Sequence, residues 1–297
     1  MARTPHQRST NTPFSTITTN QSPDSVAHIA SQLDARRLVQ TLSHLGERPW
    51  RFPLDDNNKI PAESNPLRII GRLSLPPCTL CLELCFASAL APAERVSLFT
   101  IFERNMRQTY EANPTSATVV GPGGWDPAGK QRELFHPKSR YLVVYDNHHV
   151  HLHAERCTRP SSPIAFAMFR FDVEPCHAKD PVNADRRSPA VRNAHFRTAT
   201  DAPAPQHKTV EVLYLYELQV APQARSVGLG TTLIELLVDL AIHTRMRKIC
   251  LTTFSNNTAA LRLYQRLGWT KDRISPPKSD AVPWEILSRP VGIYSQW

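Results

Sequence analysis

The sequence lacks any uninterrupted run of about 18 apolar residues, so no transmembrane helix is predicted. Its first ten residues, MARTPHQRST, lack the apolar core of a secretory signal, and an intracellular protein is expected. Cysteine is sparse: six are scattered over 297 residues, too few and too dispersed for a disulfide framework. Glycine is scarce too, at ten, and no collagen or coiled-coil repeat is present. Long basic runs are also missing. The net charge is +9, but no Lys/Arg run exceeds two residues, and residues 1–66 carry seven basic and six acidic side chains. A surplus this diluted reads as solvated surface rather than a phosphate track, so neither direct nucleic-acid binding nor membrane association is expected.

What is present suffices for a core, with 41% hydrophobic residues. Residues 1 to about 25 are rich in Ser, Thr, Asn, Gln and Pro and are expected to be disordered. Residues 26–45 have helical spacing, with Ile29, Leu33, Leu38 and Leu42 on one face. Residues 1–66 therefore read as an N-terminal extension, largely disordered with one helix, and 67–297 as one domain. Residues 57–66 read as loop. Residues 69–86, broken by Pro76-Pro77, read as one or two strands, and 92–111 as an amphipathic helix with proline at its start. A Gly/Pro loop is expected over 113–129 and a strand over 140–146. Residues 163–174 and 210–220 read as a hairpin interrupted by an insertion at about 175–208, long enough to be functional or disordered. Helix 229–246, strand 248–254, helix 257–267 and strand 284–289 follow. This alternation predicts an α/β fold around one mixed sheet.

The segment QARSVGLG (223–230) follows the most strand-like stretch and opens a helix. Successive backbone N–H groups of 226–231, with the positive end of the helix dipole, form an anion cradle in one reading. Gly228 and Gly230 would let a pyrophosphate approach the backbone. A plain tight turn explains the same glycines and stays open. A dinucleotide fingerprint fails because position 233 is Leu, and a Walker loop fails because Thr231, not Lys, follows Gly230.

What remains is R-x-x-G-x-G, from Arg225 to Gly230, which resembles the acetyl-CoA signature of the GNAT acetyltransferases. Asn257, Ala260, Tyr264, Gly268 and Trp269 resemble that superfamily's second signature. NMRQTYE (105–111), FRFDVE (169–174), EVLYLYELQV (211–220), LTTFSNN (251–257) and EILSR (285–289) are similar to the N-terminal acetyltransferase D family, over roughly 93–290. The resemblance implies a GNAT fold, a central mixed twisted sheet flanked by helices. It implies transfer of acetyl from acetyl-CoA to the amino-terminal serine of histone-4 and histone-2A tails, which begin Ser-Gly-Arg. Histone tails are thus the expected partners and acetyl-CoA the co-substrate, with no metal, a monomeric state, and residence in nucleus and cytoplasm. Another GNAT acetyltransferase of N-termini or small amines, or a non-catalytic acyl-CoA-binding chromatin module, are the alternatives.

Acetyl transfer to an amine needs a base, because an α-amino group titrates near pH 8. Glu217 is the candidate. Strict alternation places Tyr214, Tyr216 and Leu218 on one strand face and Leu213, Leu215 and Glu217 on the other. There Glu217 is either exposed at the strand end or buried with a raised pKa. The resemblance implies a β-bulge here that re-aims it. Tyr264 occupies the GNAT position that meets the departing sulfur, where its phenol can donate a proton, or it packs on the sheet. Tyr216 joins these two as a catalytic candidate. The resemblance further implies that the Leu218 N–H polarises the thioester, and that Leu218, Gln219 and Val220 bind the pantetheine arm. Arg225, Ser226, Val227, Gly228, Leu229, Gly230, Thr231 and Asn257 would complete the coenzyme site.

For the peptide, Asp172 and Glu174 lie two apart on one strand face, about 7 Å from each other. Two carboxylates suit the ammonium and guanidinium of a Ser-Gly-Arg terminus. Val173 lies between them. Tyr110, Trp125, Tyr214, Tyr216 and Trp284 are candidate pocket walls, and Thr252 and Ser275 candidate polar contacts. The family usually has Tyr before E-I-L-S-R, so Trp284 is a departure. His149, His151 and His153 superficially form a metal strip but lack a convincing fourth ligand, and read as a polar hairpin tip. The cysteines at 78, 81 and 85 sit among apolar residues and read as core.

Overall fold

Strand-forming segments and amphipathic helices alternate along the chain, and the sheet they build follows that alternation. The computed structural model describes residues 30, 32–33, 35–42, 50–51, 68–75, 78–113, 124–146, 162–175, 209–280 and 282–291. The tail 1–25, the loop 57–66, the histidine strip at 147–157 and the insertion from 176 to 208 lie outside the described residues.

The elements in chain order are α1 (Ala35–Leu42), β1 (Trp50–Arg51), β2 (Arg68–Leu75), β3 (Cys78–Phe86), α2 (Pro92–Glu111), α3 (Pro127–Leu134), β4 (Arg140–Tyr145), β5 (Pro163–Pro175), β6 (Thr209–Val220), α4 (Leu229–His243), β7 (Lys248–Phe254), α5 (Thr258–Arg266), β8 (Thr270–Lys271) and β9 (Trp284–Pro290). Among the described residues nine strands form one sheet in the order β1-β2-β3-β4-β5-β6-β7-β9-β8. All neighbours are antiparallel except β6 and β7, so the expected mixed sheet is present.

One face carries α1, α4 and α5 over Leu142, Val144, Phe169, Leu213, Leu215, Ile249 and Leu251. The other carries α2 and α3 over Tyr141, Val143, Phe166 and Met168. At about 25 cal/mol per Å² of apolar area, burial on two faces supplies the main favourable term in folding. Cys81 and Cys85 are buried in the second layer, as core cysteines should be.

Three features of the structure stand out against the sequence reading, besides the short edge strands β1 and β8. The stretch expected to be loop to 129 already turns helical at Pro127. Asp126 caps α3 by accepting from the Gly129 N–H at 2.9 Å, and Pro127 occupies the first turn, where its missing N–H costs nothing. Helix α4 ends at His243 rather than 246, because Thr244 leaves helical geometry and Arg245 takes φ +59°.

The third departs from strict alternation, is the β-bulge the resemblance implies, and reorganises the site. The β5–β6 register passes from Phe169 opposite Leu215 to Met168 opposite Glu217, leaving Tyr216 as an extra residue. A bulge of this kind inverts the alternation beyond it. Leu218 and Val220 accordingly pack with Leu213 and Leu215 on the α4 face. Glu217 turns to the opposite face, beneath α2 and α3, where it meets Lys130. Strict alternation had assigned both residues to the wrong side.

Candidate active site

Strands β6 and β7 are bonded only from Val212–Lys248 to Leu215–Leu251. Beyond Leu215 they diverge, while β6 stays paired to β5 as far as Val220 opposite Ala165. One edge of 216–220 therefore has no partner strand among the described residues. Between the splayed strands lies a cleft of about 980 Å³, lined by Leu215 to Val220, the 224–231 loop, 251–254 and the start and inner face of α5. An extended ligand with amide groups can pair with such an edge.

The 224–231 loop closes one end. Gly228 caps α4 at φ +91°, a left-handed geometry that glycine adopts without penalty, and Ser226 also has positive φ at 66°. Among the described residues no side chain caps α4, so its first N–H groups can serve an outside acceptor. Two nearby observations fit a pyrophosphate: the left-handed turn presents backbone rather than side chains, and Ser226, Gly228, Leu229, Gly230 and Thr231 all line the cleft. Gly230 is not fixed by packing, since a Cβ there would meet Leu263 Cδ2 only at 3.5 Å. Val227 points away and is exposed. Asn257 lines the cleft and caps α5, accepting from the Ala260 N–H at 3.3 Å.

A chain of polar side chains runs from this loop into the core. Arg225 Nη2 donates to Asn105 Oδ1 at 2.6 Å, and Asn105 Nδ2 donates to Gln219 Oε1 at 3.0 Å. Gln219 Nε2 donates to Glu217 Oε2 at 2.7 Å. The other Glu217 oxygen lies 2.7 Å from Lys130 Nζ, which also reaches Glu133 Oε2 at 2.9 Å. Burial pushes the Glu217 carboxyl above its usual range, against the opposing pull of Lys130. Lys130 is buried as well, yet Glu133 and Glu217 hold its ammonium well above the ordinary lysine value. The rings of Phe102 and Tyr110 lie 5.1 and 5.6 Å from its nitrogen, adding cation–π attraction.

Tyr264 enters from α5, buried and on the cleft wall, its ring tilted against Trp269. Burial raises its phenol above the ordinary tyrosine value, and Glu217 adds to the shift, so it is a proton donor rather than a phenolate. Tyr110 and Trp284 also line the cleft; the Trp284 Nε1 is buried without a hydrogen-bond partner among the described residues.

Asp172 and Glu174 share a β5 face with Arg170, opposite Val212 and Val210 of β6. Beside them Tyr214 and Tyr216 have ring centroids 4.9 Å apart, and the Arg170 guanidinium lies 4.3 Å above Tyr216. Tyr214 and Thr252 share a hydrogen bond of 2.5 Å between hydroxyls. Burial, reinforced by Asp172, pushes Glu174 up to about 7, while Lys248 opposes the rise. The structure thus brings Asp172, Glu174, Tyr214, Tyr216 and Thr252 to one surface beside Glu217. Three candidates fall elsewhere. Val173 faces the opposite layer, packed against the α4 core. Trp125 stacks on Phe99 and Phe102 and contacts Tyr110 from behind. The Ser275 hydroxyl is taken up accepting from the Ile286 N–H at 3.0 Å.

Lys130, Glu133 and Asn105 were not anticipated from sequence. Asp126-Pro127 is a helix-start signal that could have revealed α3, but nothing local marks Lys130 as buried.

Residues 125–269 match the family model "Acetyltransferase (GNAT) family", and the fold is the mixed α/β GNAT fold. An 82-residue stretch is 43% identical to N-alpha-acetyltransferase 40 of Saccharomyces cerevisiae, covering 25% of this chain and 29% of that protein. A 73-residue stretch is 30% identical to "Probable N-acetyltransferase camello" of Xenopus laevis, covering 25% of this chain and 33% of that one. The chain therefore spans a third or less of the length of these curated relatives. The crystal structure of Arabidopsis thaliana NAA60 in complex with a bisubstrate analogue superposes with a TM-score of 0.39 at 14% identity, over 70% of this chain and 99% of that one.

Proposed function

We propose, for a chain whose residues 125–269 match the GNAT acetyltransferase family model, an acetyl-CoA-dependent N-alpha-acetyltransferase activity directed at the amino-terminal serine of histone-4 and histone-2A tails. The observation that carries the reading is the meeting of two surfaces at Glu217: a cleft along the β6 edge from which β7 diverges on one side, and the Asp172–Glu174 platform with its two tyrosines on the other.

Acetyl-CoA, as co-substrate, supplies a thioester that is susceptible to attack by an amine. The first turn of α4 and the backbone of 226–231 hold the pyrophosphate, and 218–220 pair with the amides of the pantetheine arm. The Leu218 N–H polarises the thioester carbonyl. Asp172 and Glu174 bind the ammonium and the arginine side chain of a Ser-Gly-Arg terminus, with Tyr214, Tyr216 and Thr252 walling the residues between. The Glu217 carboxylate accepts one proton from the ammonium, giving a neutral amine that attacks directly. Tyr264 gives a proton to the departing sulfur, and the second proton lost by the nitrogen restores the phenol. One proton per turnover reaches solvent through Glu217. The enzyme works as a monomer in nucleus and cytoplasm, where histones and acetyl-CoA are both present.

The test is incubation with acetyl-CoA and a Ser-Gly-Arg-Gly peptide, beside the same peptide with a blocked amine. Product only on the free amine supports the reading. Product on neither peptide removes the histone assignment, and leaves an acyl-CoA-binding module if the coenzyme still binds. Equal product on internal lysines indicates a lysine acetyltransferase.

A further inference from the structure

The polar chain behind Glu217 contains a cation that the reaction itself does not use. We infer that Lys130 is the positioning residue for Glu217: its ammonium, clamped between Glu217 and Glu133 under two aromatic rings, holds the carboxylate ionised and fixes its orientation inside an apolar layer. The inference rests on the proposed function only for the name of the reaction that Glu217 serves; the coupling between the two side chains is a property of the protein by itself.

The geometry is specific. Lys130 Nζ has contacts of 2.7 and 2.9 Å to two carboxylates and lies 5.1 Å from the Phe102 centroid, in a side chain about 3% exposed. A buried carboxylate without a counter-charge would take up a proton instead of staying ionised. The charged and titratable groups that bear on Glu217 come from four elements and act in opposing directions. From α3 come Lys130, which favours its ionised form, and Glu133, which disfavours it. From α2, β4 and α5 come the hydroxyls of Tyr110, Tyr141 and Tyr264, all neutral because burial raises them. On β6 itself Gln219 donates to Oε2. Met168, opposite on β5, is uncharged. Lys130 is thus the cation that faces Glu217 among the described residues, and Gln219, tethered through Asn105 to Arg225, locks the second oxygen.

Glu133 gives the arrangement its balance. It shares the ammonium, so part of the charge that would otherwise stabilise Glu217 is directed elsewhere. This predicts shifts of opposite sign. Loss of Lys130 should raise the proton affinity of Glu217, whereas loss of the Glu133 charge should lower it.

The experiment is an isotope-edited infrared titration of the full chain carrying ¹³C-labelled glutamate, with Glu217→Gln identifying the Glu217 band. In Lys130→Met the midpoint of that band should move up by about one pH unit or more, a tenfold change in proton affinity. Lys130→Arg should return it towards the parent value, and Glu133→Gln should move it down. Glu133 is partly exposed, so that variant keeps the test available if Lys130→Met does not fold. A midpoint unmoved in Lys130→Met, or moved upward in Glu133→Gln, overturns the inference. The acidic limb of kcat/KM for peptide acetylation is read in parallel. If the infrared midpoint shifts and the kinetic limb stays, Lys130 controls Glu217 but Glu217 is not the base; that outcome contradicts the proposed mechanism and leaves the positioning role standing.

Discussion

A single ammonium, Lys130 Nζ, bridges Glu217 Oε1 at 2.7 Å and Glu133 Oε2 at 2.9 Å in the layer beneath α2 and α3. Two carboxylates and one cation leave an acid–base group that is neither an isolated buried acid nor a neutralised pair. Its removal should be felt in chemistry before it is felt in folding. Glu217→Gln keeps the shape and the Gln219 contact, and should lower kcat by about a hundredfold or more while leaving the KM for acetyl-CoA within about twofold. Steady-state kinetics with a Ser-Gly-Arg-Gly peptide reads both numbers.

Tyr264 is held neutral by burial and faces the cleft, so its proton is available to a thiolate. Tyr264→Phe should reduce kcat by about ten- to a hundredfold with normal acyl-donor binding. Replacing acetyl-CoA by an acetyl thioester of a more acidic thiol should recover most of the loss, because the better leaving group needs no proton. Equal loss with both donors would make Tyr264 a packing residue.

Gly228 and Gly230 are separable. Gly228 sits at φ +91°, so Gly228→Ala strains the entry to α4 by about 1–2 kcal/mol and should lower both thermal stability and coenzyme affinity. Gly230 lies within the helix with room for a Cβ beside Leu263, so Gly230→Ala should raise stability by about 0.5–1 kcal/mol. It should still weaken coenzyme binding, because the new methyl stands near the cleft-facing amides. Melting curves with and without acetyl-CoA distinguish the two.

Glu174 provides a pH signature. Its pKa is raised from 4.5 to about 7, so between those values the folded state binds more protons than the unfolded one. Stability contributed by this group is full below about 4.5 and is lost as pH rises through about 7. Peptide binding has the opposite slope, since a cationic terminus prefers the ionised carboxylate. Peptide KM should fall as pH rises through about 7. Glu174→Gln should raise peptide KM, flatten its pH dependence and make the unliganded protein more stable at high pH. Isothermal titration and melting curves across that range test both slopes.

Lys248 and Asp272 form a pair 2.6 Å apart with both side chains about 1% exposed. Lys248 holds the Asp272 carboxyl below its ordinary range despite burial, with help from the Ile274 N–H. That stabilisation is present above the unfolded carboxylate pKa and is lost as pH falls through the folded one. Lys248→Met should cost about 3–5 kcal/mol at neutral pH by stranding Asp272, and Asp272→Asn in the same chain should recover part of it. Chemical denaturation of the single and double variants gives the comparison.

Much of this architecture was readable in advance where local rules act alone. The bounds of α2 and β7 follow from helical spacing and from a short apolar run, and Gly228 marks the turn into α4 because no side-chain-bearing residue enters that geometry freely. The orientation of Glu217 was not readable by alternation. Period two holds only while the register advances evenly, and it skips Tyr216, so the assignment inverted one residue before the group that matters. Lys130 was hidden for another reason: a lysine in a PAGKQREL helix looks solvated until α2 and β6 are placed around it. Long-range packing, not local preference, decides its charge.

In the proposed reading, the surface offered to the coenzyme is mostly main chain: one edge of 216–220 and the opening turn of α4. Amides are the same in every amino acid, so side-chain identity there is a poor record of use. In coenzyme affinity, an alanine scan across 218–220 and 226–231 should be nearly silent outside Gln219, which holds Glu217, and the two glycines. Deleting one residue between 209 and 216 would instead rotate every group beyond it to the wrong layer. Such a site tolerates spelling changes and is destroyed by a frameshift of one residue in its spatial reading.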